Sequence, residues 1–169
     1  MERPSDPRQD GPADFARAVR TAQGRPEFLS ALRAVYREAD LVAASRGATC
    51  LGGGGCCKFD LTGHRLYVST GELSLLMLSP PPRPRRALQH RCPYQVGPRC
   101  MARALRPLGC RLFFCNPGAR AWSQSAYEPF HRRIRELHDQ HGVGYRYVEM
   151  TCALAMLSEL ETATPVLDR

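Results

Sequence analysis

Seven of the eight cysteines fall between positions 50 and 115, in two tight groups interleaved with glycine and proline. The first group is Cys50, Cys56 and Cys57, in Cys50-Leu-Gly-Gly-Gly-Gly-Cys56-Cys57; the second is Cys92, Cys100, Cys110 and Cys115. Burying so many thiols carries a desolvation cost that a bound metal offsets once they ionise. The glycines let the backbone close around an ion, and the prolines stiffen the turns between ligands. The spacing therefore constrains the fold more than any hydrophobic pattern does: the middle of the chain is expected to be irregular loop wrapped around thiolate-bound metal.

Seven thiols exceed the four of a single tetrahedral zinc site. Three arrangements fit the count: one ion with four thiols and the others in support, two ions sharing bridging thiolates, or a four-iron cluster held by four cysteines. The spacing is neither the paired Cys-x-x-Cys of a zinc ribbon nor a ferredoxin run. Cys56 and Cys57 are adjacent, and neighbouring side chains tend to project in different directions.

The compartment argument favours metal over disulfides. No apolar run approaches the ~20 residues that span a bilayer. The first 12 residues are charged and proline-rich, without the apolar stretch of a secretory signal. A cytoplasmic location is expected, where reduced thiols serve metals or redox chemistry. The net charge of +8 is carried almost wholly by arginine, with Lys58 the single lysine. Those arginines are scattered, which disfavours nucleic acid as a partner. Arg99, Arg103, Arg106 and Arg111 lie among the second cysteine group, where guanidinium groups would offset the negative charge of a tetrathiolate centre.

Residues 1–12 are expected to be disordered and residues 13–169 to form one small, mainly α domain with little strand. Phe15, Val19 and Ala22 share one helical face. Phe28, Leu32, Val35, Tyr36, Ala39 and Val42 share another, with Pro26 in its first turn and Gly47 as its stop. Lys58 to Val68 reads as one or two short strands about a turn at Thr62-Gly63. Ser69-Thr-Gly-Glu72 is a capping box ahead of Leu73, Leu75, Leu76 and Leu78. Residues 80–86 are an extended proline-rich connector. Met101–Leu105 is read as a short helix and Asn116-Pro-Gly118 as a turn. A helical C-terminal part over 119–161 begins its main helix at Pro129, with Tyr145–Val148 as an extended link.

At these residues the chain resembles the YkgJ-type cysteine-cluster family of zinc- or iron-chelating domains. Cys50, Cys56 and Cys57 match the first, third and fourth cysteines of a Cys-x-x-Cys-x-x-Cys-Cys block, and Cys92-Pro-Tyr matches the family's middle site. Cys100, Arg106, Pro107, Cys110 and Arg111 match its Cys-x-x-Tyr-x-x-Arg-Pro-x-x-Cys-Arg block. The resemblance covers about residues 50–115. It implies chelation of zinc or iron, with a [4Fe-4S] cluster as the iron–sulfur form; a similar domain accompanies an iron–sulfur centre in flagellin lysine methylases. Arg106 and Arg111 are then the arginines expected around the cofactor. Gly53 stands where the family has its second cysteine, Arg103 where it has tyrosine, and Cys115 is the candidate to replace the missing thiol.

Other residues have plainer expectations. Cys152 reads as a core thiol on an apolar helix. His90, two residues before Cys92, is the best non-thiol ligand candidate; His131 and His138 share one helical face as surface or satisfied core groups. Trp122, Tyr127 and Phe130 are expected to pack the C-terminal helix onto the cysteine loops. No Ser-His-Asp set, phosphate loop or dinucleotide fingerprint is present. The expected function is metal binding with an unidentified protein partner or substrate. An iron–sulfur-dependent enzyme or redox protein is the alternative, and nucleic-acid binding the third reading.

Overall fold

A computed structural model describes residues 11–48, 53–82, 91–113 and 117–163 of the chain. Cys50, Cys115, His90 and most of the 80–86 connector lie outside the described residues. Helix dominates, as expected. Helix α1 (Pro12–Gln23) follows Gly11 at φ +80°, with Pro12 in its first turn, so the last two residues of the expected disordered segment already belong to a helix start. Its inner face is the expected one: Phe15, Val19 and Ala22 are buried with Ala16. Helix α2 (Pro26–Ser45) buries Phe28, Leu32, Val35, Tyr36 and Ala39, and the chain turns away at Gly47, φ +64°.

The segment after the first cysteine group departs from expectation. A single 3-10 turn (Gly55–Cys57) leads into a helical turn α3 (Phe59–Thr62), and strand β1 begins only at Tyr67 (Tyr67–Ser69). Gly63 decides this: at φ +66° its N–H returns to the Phe59 carbonyl at 3.0 Å, closing a helical turn where two strands were expected. Phe59 then points inward while Leu61 stays exposed.

The capping box forms as read. Ser69 accepts from the Glu72 N–H, Glu72 returns to the Ser69 N–H at 2.8 Å, and α4 (Thr70–Leu76) follows with Leu73, Leu75 and Leu76 buried. A two-residue loop at Gly97-Pro98 joins β2 (Gln95–Val96) to β3 (Arg99–Cys100). Met101–Leu105, expected as helix, is a run of turns. The residue before a proline is driven out of helical backbone, so α5 (Leu108–Leu112) starts only after Arg106-Pro107.

Helix α6 (Pro117–Gln140) also corrects the sequence reading: Pro117 opens a helix instead of sitting in a turn, and Pro129 lies in its interior instead of at its start. A first-turn proline costs nothing. The donor missing at Pro129 is outweighed by the buried contacts of Phe130 and Ile134 with α2. Strand β4 (Tyr147–Glu149) pairs antiparallel with β1, Val68 opposite Val148, and α7 (Met150–Ala163) leaves directly from it. Two buried clusters result. One joins α1, α4 and α7 and takes in Cys92, Tyr94 and Ala102; the other joins α2, α5 and α6. Cys57 and Cys100 pack against the first cluster beside Cys92. Trp122, Tyr127 and Phe130 pack into the second cluster. No described helix is long and apolar enough to cross a membrane.

Candidate metal centre

Three short segments carry the described thiols, and each is held by a specific backbone device. The first is the Gly54–Cys57 turn. Gly54 sits at φ +67° with its carbonyl accepting from the Gln95 side-chain amide at 2.9 Å. A Cβ at Gly54 would lie 2.4 Å from that amide nitrogen and 3.1 Å from Pro98 Cα, so only glycine lets the first cysteine block lie against the β2–β3 hairpin. The Cys92 N–H donates to the Cys57 carbonyl at 3.0 Å, tying the two groups together a second time.

The second segment, Cys92 to Cys100, is anchored by Tyr94, fully buried, whose hydroxyl donates to the Leu76 carbonyl at 3.3 Å. The third is α5, which carries Cys110. The buried Glu72 carboxylate accepts from the Leu108 N–H at 2.8 Å and from the Tyr36 hydroxyl at 3.5 Å, fixing the start of α5. Gly109 lets α5 pack closely on Leu66, the residue just before β1, because a Cβ there would meet Leu66 Cδ1 at 2.6 Å. Glu72 thus caps one helix and positions another. The capping motif in the sequence reveals the first role and cannot reveal the second, which needs Leu108 to be brought 36 residues back.

These devices bring five thiols into one neighbourhood. Cys56 and Cys57 Sγ atoms stand 3.9 Å apart, so the adjacent pair projects together and not apart: the tight 3-10 turn rotates both to one side. Cys57 also exchanges a hydrogen bond with Cys92, and the Cys56, Cys57 and Cys100 sulfurs are close enough to act electrostatically on Cys110. Among the described residues, no group of three or more Cys, His, Asp or Glu is arranged to hold a metal ion. The thiols converge without forming a ligating set, and Cys50 and Cys115 fall outside the described residues.

The surroundings of Cys56, Cys57, Cys100 and Cys110 oppose their ionisation. The hydrogen bond to Cys57 pushes the Cys56 thiol far up, and burial adds to it. For Cys57 the bond from Cys56 pulls down, but the bond to Cys92, burial and the neighbouring Cys92 and Cys100 outweigh it and hold the thiol at about 12. Burial raises Cys100, and burial with three nearby thiols raises Cys110 well above the ordinary range. Arg106 works the other way, lowering Cys56, Cys100 and Cys110, and Arg103 joins it on Cys100.

The two arginines singled out in the sequence have different surroundings. Arg111 is buried and spends its donors on protein: Nε to the Arg106 carbonyl at 2.9 Å, Nη2 to the Ala104 carbonyl at 2.7 Å and Nη1 to Asp40, with its guanidinium 4.3 Å from the Tyr36 ring centroid. It braces the 104–106 turn from below. Arg106 faces the thiols, and its buried Nε–H has no acceptor among the described residues. His64 lies beside the first block, between the rings of Phe59 and Phe113, with a ring hydrogen bond to the Cys56 backbone. Nothing in the local sequence marks it, since only the α3 turn folds residue 64 back onto Cys56. Cys152 is half-buried, not core, and lines a cleft of about 610 Å³ with Phe59, His64, Glu149 and Thr151. His138 is a satisfied core group, accepting from the Gly71 N–H at 3.3 Å and held by the Val143 carbonyl at 3.1 Å. No protein-family model, curated protein or solved structure matches the chain.

Proposed function

We propose that the protein binds a metal, zinc or iron, through thiolates of Cys50, Cys56, Cys57, Cys92, Cys100, Cys110 and Cys115, as a cytoplasmic YkgJ-like chelating domain. The observation that carries this reading is the convergence of Cys56, Cys57, Cys92, Cys100 and Cys110 from three separated segments onto one region. The donor set suits a thiophilic cation: Cys56, Cys57, Cys100 and Cys110 resist ionisation on their own, and a dication would stabilise the thiolates that burial deprives of water. The 3.9 Å between Cys56 and Cys57 sulfurs is near the ~3.8 Å edge of a tetrahedron of sulfurs at zinc–thiolate bond length. The orphaned Arg106 Nε–H suits a hydrogen bond to a metal-bound sulfur, the outer support that tunes such centres. Elemental analysis of protein purified without oxygen tests the reading. Zinc or iron near one or more ions per chain is expected; metal-free protein that melts unchanged contradicts it.

An iron–sulfur enzyme or redox protein is favoured by one observation. Gly53, which replaces a family cysteine, is exposed with open space where a side chain would project, leaving that side of the centre accessible. Brown protein with broad absorption near ~400 nm supports this second reading, and colourless protein with stoichiometric zinc removes it.

A further inference from the structure

A cleft of about 920 Å³ opens between the 103–106 turn and α2, with Arg33, Arg37, Asp40, Arg103, Arg106 and Arg111 on its walls. Arg33, Arg37 and Asp40 recur four and then three residues apart, which places them on one face of α2. Ala44, Ala48 and Leu105 provide an apolar wall. Five guanidinium groups thus face one carboxylate, and Asp40 is already bonded to Arg111 with Arg106 4.0 Å away.

The other three cations share no further carboxylate within the cleft, and the Glu38 carboxylate that Arg37 acts on lies outside it, bonded to Arg133. Arg33, Arg37 and Arg103 are exposed, and among the described residues none has a hydrogen-bond or ion-pair partner. Several arginines elsewhere are paired: Arg17 with Asp14, Arg91 with Asp60, Arg133 with Glu38 through two bonds of 2.7 and 2.8 Å. Arg33 and Arg37, one turn apart, repel each other, so they weaken the helix that carries them. A fold gains nothing from that arrangement, whereas an oxyanion does: the planar guanidinium fork matches phosphate and carboxylate oxygens in pairs. The volume is that of a small-ligand site, and the apolar wall leaves room for a carbon skeleton.

We propose that this cleft binds a small multivalent oxyanion, a phosphate ester or polycarboxylate, clamped between Arg33 and Arg37 of α2 and Arg103 of the facing turn. The proposal goes beyond metal binding and does not require it, because Arg33 and Arg37 stand outside the thiol group. It also gives the metal centre a neighbour, since Arg103 and Arg106 both act on Cys100.

Calorimetric titration of the full chain, as purified, with inorganic pyrophosphate and separately with citrate tests the clamp. Saturable binding of at least one probe is expected; the probe preferred tells phosphate from carboxylate. Arg33→Gln with Arg37→Gln is expected to weaken it at least about tenfold while metal content stays unchanged and the anion-free melting temperature does not fall. Arg33→Lys with Arg37→Lys keeps the charge but not the fork and is expected to weaken binding as well, which covers a neutral pair that fails to fold. Arg20→Gln with Arg65→Gln removes the same charge outside the cleft and is expected to leave affinity intact. Absence of saturable binding to both probes, full affinity in the Arg33/Arg37 variants, or an equal loss in the Arg20/Arg65 control overturns the proposal. Binding of polyglutamate with neither small anion overturns it in favour of an acidic protein partner.

Discussion

Replacing Gly54 by alanine isolates the joint between the two cysteine groups. Alanine at φ +67° pays about 1 kcal/mol for left-handed backbone. Its Cβ would enter within 2.4 Å of the Gln95 amide, displacing it from the Gly54 carbonyl and losing a hydrogen bond of about 1 kcal/mol. The remaining contacts, Pro98 Cα at 3.1 Å and Pro98 O at 3.2 Å, are backbone and cannot swing away, which adds about 1 kcal/mol or more of overpacking. The sum is about 2–4 kcal/mol, or about 5–15 °C in melting temperature for a chain of this size. The same change moves Cys56 and Cys57 away from Cys92, so bound metal should fall with stability. Thermal unfolding by circular dichroism, with metal content measured on the same samples, reads both. Gly53→Ala is the paired control: that glycine has open space around it and no positive φ, and should change neither. Equal melting temperatures for the two variants, or a Gly54→Ala protein with full metal, would refute the joint as described.

Three further outcomes follow from the core. Glu72→Ala strands the Ser69 N–H, the Leu108 N–H and the Tyr36 hydroxyl in buried positions, and should destabilise by about 3–5 kcal/mol in urea unfolding; a loss under 1 kcal/mol would contradict its role at both helix starts. His138, depressed by burial to about 4, is neutral when folded but takes a proton below about 6.5 when unfolded. Stability should therefore fall as pH drops from 6.5 toward 4, by up to about 3 kcal/mol, and be level in this respect above 6.5. A His138→Asn protein with the same pH slope as the parent sinks that assignment. Arg111→Lys keeps the charge but cannot reach Asp40 and the Ala104 and Arg106 carbonyls together, so it should cost about 2–3 kcal/mol; unchanged stability contradicts the brace.

Much of this architecture was legible in the residues, for identifiable reasons. The buried faces of α1 and α2 follow from 3.6-residue periodicity alone, and the box at Ser69 and Glu72 states its own geometry. Proline misled more than it informed. Pro129 looks like a helix start because its preference for a first turn is local, whereas the packing of Phe130 and Ile134 that carries the helix through it is tertiary. The α3 turn was missed because Phe59 and Leu61 mimic strand alternation, and one left-handed glycine overrides it. At the site, the sequence names the thiols but not their neighbours. His64, Glu72 and Asp40 enter through contacts spanning 8 to 71 residues that no spacing rule encodes. The alignment of Cys56 with Cys57 depends on a backbone turn, not on their adjacency.

The central claim is that the converging sulfurs act together on metal. Its most direct measurement is metal bound per chain, after purification without oxygen, in the parent, in Cys110→Ser and in Cys152→Ser. Cys110 lies within electrostatic reach of Cys56, Cys57 and Cys100, whereas Cys152 lines a cleft that none of those cysteines lines. The account predicts loss of most bound zinc or iron in Cys110→Ser and full retention in Cys152→Ser. Full metal in Cys110→Ser, or an equal loss in both variants, contradicts it.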